Sequence, residues 1–73
     1  MRVAVYPNDH PPAHVYVIGR GCEAVFRLNC PAGPVVLREN HGFARQEIAE
    51  TRKTLDESLP ALCREWERFH GPA

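Results

Sequence analysis

His14-Val15-Tyr16-Val17-Ile18 and Cys22-Glu23-Ala24-Val25-Phe26-Arg27-Leu28, separated only by Gly19-Arg20-Gly21, form the stretch on which the fold turns. Both runs are rich in β-branched and aromatic residues and the short segment between them holds two glycines, so they read as antiparallel strands joined by a three-residue hairpin loop. Side chains alternate across a strand. Val15 and Val17 therefore share one side, against His14, Tyr16 and Ile18 on the other. In the second run Cys22, Ala24, Phe26 and Leu28 oppose Glu23, Val25 and Arg27. One face of the ribbon is apolar and the other is mixed. Gly19-Arg20-Gly21 is a turn and not a phosphate cradle, because no helix start follows it.

Working outward, Val3 to Tyr6 reads as a short edge strand closed by a turn at Pro7-Asn8-Asp9. His10-Pro11-Pro12-Ala13 is an extended lead-in, since a residue before proline is pushed out of the α region. Downstream, Asn29-Cys30-Pro31-Ala32-Gly33-Pro34 is dense in turn formers and long enough to fold over part of the mixed face. Val35 to Arg38 is then a third or fourth strand.

From Ala44 the apolar period changes from two to about 3.6. Ile48, Leu55, Leu59, Leu62, Trp66 and Phe69 fall on one helical stripe, expected to cover the apolar face of the sheet, with Trp66 and Phe69 in the core. Pro60 interrupts the stripe, and an interior proline costs about 3 kcal/mol or more. Either the helix kinks near Glu57, or it breaks, with Ser58 or Leu59 capping a second helix. The stripe keeps its phase across Pro60, which favours a kinked or briefly interrupted rod ending at Gly71-Pro72. The helix charges alternate in sign around the polar side and read as a solvated face. The expectation is an α+β domain spanning 1–73: an antiparallel meander of three to four strands over 1–38, and a helical segment over 43–70 packed on one face.

At 73 residues the chain holds one thin core, worth about 3–5 kcal/mol, and chains of this size draw further stability from disulfides, metals or partners. Lys plus Arg and Asp plus Glu both number 9, so no global positive field attracts a phosphate backbone, and nucleic acid is left to a local patch. Cys22, Cys30 and Cys63 stand at wide spacings, neither a disulfide framework nor a zinc ribbon. They suggest a reduced, cytoplasmic chain in which Cys63 is a small buried hydrophobe. No apolar run approaches membrane-spanning length, so no membrane partner is expected, and no cofactor is.

Tyr6-Pro7-Asn8-Asp9-His10-Pro11-Pro12-Ala13-His14-Val15, then Glu23-Ala24-Val25-Phe26, then Gly42-Phe43 leading a helix that ends near Trp66, resemble the bacterial family catalogued as domain of unknown function 4160. The histidine-diproline-histidine segment is the most specific part. The resemblance implies a small α+β protein encoded beside a second short gene, the pair proposed to act as a toxin–antitoxin-like module, with no settled catalytic mechanism. The chain departs from the family pattern where Tyr16 replaces a second histidine and where Ala44 replaces a capping serine three residues before Glu47. It also lacks an additional strand before Val3 to Tyr6, which would leave a sheet edge open.

Three constellations carry chemistry. His10 and His14, with His41 as a third, are weak candidates for a metal site. The prolines stretch the first pair over roughly 12–13 Å, a strained span for a zinc bound at about 2.0–2.1 Å, and hydrogen bonds to backbone carbonyls are the simpler role. His14, Tyr16 and Arg27 suit a metal-independent acid–base site such as a small ribonuclease needs, since imidazole both takes and gives protons near neutrality and a guanidinium stabilises developing charge. Cross-strand packing on an ordinary sheet surface accounts for the same residues. The third and favoured reading is a protein-binding surface made by His10, His14, Tyr16, Ile18 and Val25 with the open edge at Val3 to Tyr6. Its occupant is a small partner protein from a neighbouring gene, or a second copy.

Overall fold

The computed structural model describes residues 1–6 and 10–71. Val15 and Val17 lie opposite Phe26 and Ala24, and all four side chains are fully buried, so the alternation has sorted the hairpin as expected. Its strands are β2 (His14–Gly19) and β3 (Cys22–Arg27), flanked by β1 (Arg2–Ala4) and β4 (Val36–His41) in a four-stranded antiparallel sheet of order β1-β2-β3-β4. Two helices follow, α1 (Arg45–Glu57) and α2 (Leu59–His70). This is the α+β meander with C-terminal helix read from the sequence.

Local details differ. Gly19 pairs with Cys22, so the loop is the two-residue Arg20-Gly21. Both residues have positive φ, 50° and 76°, as a turn matched to the twist of the strands demands. The first strand is Arg2–Ala4 and stops short of Tyr6, and the turn expected at Pro7-Asn8-Asp9 lies outside the described residues. β4 starts after the buried Val35 and runs on to His41, with a register shift opposite Val25/Phe26 that leaves Arg38 as the extra residue of a bulge.

The helical rod breaks at Ser58, which ends α1 and stands before α2, placing Pro60 in the first turn where no intrahelical N–H is lost. At the start of α1, Glu47 accepts from the Ala44 N–H at 3.0 Å, but alanine has no hydroxyl to return the bond, so only half of a capping box exists. Leu55, Leu59 and Trp66 are buried against the sheet and Ile48 and Leu62 are half-buried, but Phe69 is 43% exposed and does not belong to the core. The inward-facing stripe runs through Leu59, Cys63 and Trp66 to His70, whose ring stacks on the indole, and Phe69 lies to one side of it. Cys63 takes the core position instead, and Phe69 carries the Arg68 guanidinium 5.8 Å above its ring.

Cys63 is also not a free thiol: it is bonded to Cys30, with Cα atoms 5.9 Å apart. This corrects the reading of three unpaired cysteines and removes the premise for a reduced compartment. The 29–34 loop that carries Cys30 is tied to α1 at its end by one further bond and braced internally by two. Val35 N–H donates to Asp56 Oδ1 at 2.8 Å, Gly33 N–H donates to the Asn29 carbonyl at 2.7 Å, and Asn29 Nδ2 donates to the Pro34 carbonyl at 2.8 Å. Gly33 has φ 78°, and a Cβ there would stand 2.9 Å from Leu59 Cδ2. Gly33→Ala is therefore expected to destabilise the fold by about 1–2 kcal/mol, from the left-handed backbone alone. Urea denaturation checks this; an unchanged midpoint would mean that Gly33 does not hold the left-handed conformation.

Candidate functional site

With the 29–34 loop drawn to the helix side, the opposite face of the sheet is not covered by it. On that face β2 and β3 set side chains in register pairs: His14 beside Arg27, Tyr16 beside Val25, and Ile18 beside Glu23. Tyr16, Ile18 and Val25 are half-buried and form a short apolar row, while Arg27 is exposed. What lies over part of the row is the extended lead-in: His10, Pro11 and Pro12, together with His14, Tyr16 and Val25, line an open groove of about 270 Å³. Arg38 and Glu39 complete its wall.

His14 sits at the seam between this face and the core. Its Nδ1–H donates to the Pro12 carbonyl at 2.8 Å, so the diproline holds the ring in place. One side of the ring meets Tyr16 edge-on, with centroids 5.5 Å apart, and another meets the buried indole of Trp66 at 5.2 Å. His14 is thus partly under the helix layer rather than wholly on the solvent face. Tyr16 continues the aromatic run to Tyr6 at 5.0 Å, and His70 stacks on Trp66 at 3.8 Å while its Nε2–H donates to the Tyr6 carbonyl at 3.1 Å.

The residues singled out in the sequence therefore fall into two groups. His10, His14, Tyr16 and Val25 line one groove, Ile18 lies two positions along the same face, and Arg27 stands beside His14. His41 is elsewhere: it pairs with Glu23 at the other end of β4 and contacts Glu39 Oε1 at 3.1 Å. The three-histidine set is not assembled, and among the described residues no group of three His, Cys, Asp or Glu stands close enough to hold a metal ion. Arg38 and Glu39 were not anticipated. The bulge turns Arg38 towards the groove, and strict alternation along β4 carries no sign of a bulge.

Chemically, the groove offers a flat aromatic, a β-branched side chain, two imidazoles and a guanidinium beside one carboxylate. That combination suits an amphipathic protein surface better than a small-molecule cavity, because the groove is shallow and has few buried polar groups to orient a ligand. No helix among the described residues is long and apolar enough to cross a membrane. No curated protein and no solved structure matches the chain. The family model described as domain of unknown function (DUF4160) matches residues 1–67, nearly the whole chain and every strand of the sheet, and the chain belongs to that family.

Proposed function

We propose that this chain is a protein-binding component, one half of a bacterial toxin–antitoxin-like pair, and that its partner is the small protein encoded by the neighbouring gene. The observation that carries this reading is the placement of the 29–34 loop. Its disulfide, with the Val35–Asp56 bond beside it, holds it on the helix side, so this loop does not cover Ile18 and Val25, which stay half-buried at the surface. An apolar row with an aromatic centre, bordered by His10, His14 and Arg38, has the composition of an interface core inside a polar rim.

Co-expression with the adjacent gene followed by size exclusion tests this. The wild-type chain is expected to co-elute with its partner, and Val25→Lys, which sets a charge beside Tyr16, is expected to weaken the complex by about thirtyfold or more. Its thermal melt should hold, because Val25 is only half-buried and points away from the helices. A wild-type chain that never co-elutes would overturn the proposal.

A second reading, a small ribonuclease-like enzyme, draws on the meeting of His14, Tyr16 and Arg27 on one face, with His10 and Arg38 close by. It requires RNA cleavage or growth arrest that His14→Ala abolishes. The balanced net charge gives RNA little purchase, and Tyr16 also packs between the rings of Tyr6 and His14 as a structural aromatic would.

A further inference from the structure

A second surface lies at the edge of the sheet, between β1 and α1. A groove of about 480 Å³ opens there, with Val17 and Leu55 as its floor, Met1 and Val3 as one wall, and Glu47 and Glu50 along the rim. The floor is core: Val17 is 1% and Leu55 4% exposed, whereas Val3 is 46% and Met1 70% exposed. Beside the groove runs an unpaired backbone, since β1 has a strand neighbour on one side only among the described residues.

The other sheet edge, β4, is protected against strand addition. It carries Arg38, Glu39 and His41, and its bulge disrupts the ladder. β1 has no bulge: its three residues carry one charge, Arg2, and keep a regular register with Ile18, Val17 and Tyr16. The charge on the rim is acidic. Glu47 is taken by Arg20 and by the Ala44 N–H, but Glu50 makes no ion pair among the described residues.

We infer that the β1–α1 edge receives an extended segment of the partner protein, which adds a strand to β1, lays an aliphatic side chain over Val17 and Leu55, and sets a lysine or arginine against Glu50. This rests on the partner-binding reading above and names what the partner brings. Strand addition supplies affinity through main-chain hydrogen bonds, and the pocket beside the strand selects alternate side chains. A second copy of the chain fits less well. Antiparallel β1–β1 pairing would place both helix layers on one side of the joined sheet and bring Glu50 towards its own counterpart, and like charges meeting across a seam repel.

The test is a titration of the isotopically labelled full chain, disulfide intact, with a short synthetic peptide alternating isoleucine with lysine, and with the same peptide carrying glutamate for lysine. The lysine peptide is expected to shift the amides of residues 2–4, and Glu50→Lys to weaken it about five- to tenfold, while the glutamate peptide leaves the spectrum unchanged. Val3→Glu should weaken binding at least as much as Glu50→Lys; should that variant not fold, Glu50→Lys decides alone. Equal binding of the two peptides, indifference to Glu50→Lys, or shifts confined to β4 or to Tyr16 and Val25 would each overturn the inference. So would sedimentation showing a dimer of the free chain that Val3→Glu dissolves, since the edge would then belong to a second copy. The two proposals fail separately: co-elution lost in Val25→Lys but kept in Glu50→Lys retains the open face and rejects the edge. A partner that never co-elutes rejects the open face and leaves the peptide titration to decide the edge.

Discussion

Trp66→Ala is expected to leave the chain largely unfolded at room temperature once the Cys30–Cys63 bond is reduced, and to lower its melting temperature sharply while the bond is intact. Trp66 is fully buried, lies in the cluster that joins Val15, Val17 and Phe26 of the sheet to Leu59 and Cys63 of α2, and holds His14 and His70 against its ring. Truncating a buried tryptophan to alanine costs about 3–5 kcal/mol, and the core of a chain this short supplies roughly the same amount in total. Trp66→Phe should cost much less. The phenyl ring keeps most of the contacts, and the substitution removes an indole N–H that is buried without an acceptor among the described residues, a donor whose desolvation costs about 1–3 kcal/mol. Far-ultraviolet circular dichroism through a thermal ramp separates the outcomes. A cooperative melt for Trp66→Ala near that of wild type would mean that the core is organised around some other residue.

The second large effect concerns the bond between Cys30 and Cys63. It closes a loop of sequence separation 33, and in the chain-entropy account such a closure contributes about 3–4 kcal/mol by restricting the unfolded chain. Reduction with dithiothreitol, or Cys30→Ser, is therefore expected to lower the melting temperature by well over ten degrees, on the scale of roughly 4–8 °C per kcal/mol for domains of this size. Alkylation before reduction should label Cys22 alone, the free cysteine, and alkylation afterwards all three. A melt that ignores the reductant would mean that the bond contributes nothing to stability. Loss of the bond should also loosen the 29–34 loop, although Asp56 still holds Val35, so partner binding on the open face is expected to survive reduction wherever the protein remains folded.

Much of the architecture was legible because it follows from periodicity. Val15, Val17, Ala24 and Phe26 announce a face through alternation, and Leu55, Leu59 and Trp66 announce a helix through their steps of four and seven. The disulfide was not legible, because two cysteines 33 residues apart reveal proximity only once the loop after β3 is known to fold back across α2. Phe69 was misplaced because the stripe steps four residues from Trp66 to His70, and not three to Phe69, a choice that apolar spacing decides for the phenyl ring. The candidate site was half legible. His10, His14, Tyr16 and Val25 do share a groove, whereas Arg38 arrives through a bulge that strict alternation forbids, and His14 meets Trp66 because it stands at the first position of its strand.

Tyr6 and His70, 64 residues apart, are joined by one hydrogen bond at the surface, beside the indole that seals the sheet. In chain order all four strands come before either helix. On the ribosome, then, the meander is delivered with its oily side bare, and it stays so until the helices that cover it have been synthesised. Contacts of such long sequence separation form late and slow folding, and uncovered strands in the meantime are prone to associate with whatever is near. A co-translated neighbour able to shield the nascent ribbon would change the yield of this protein as much as its activity.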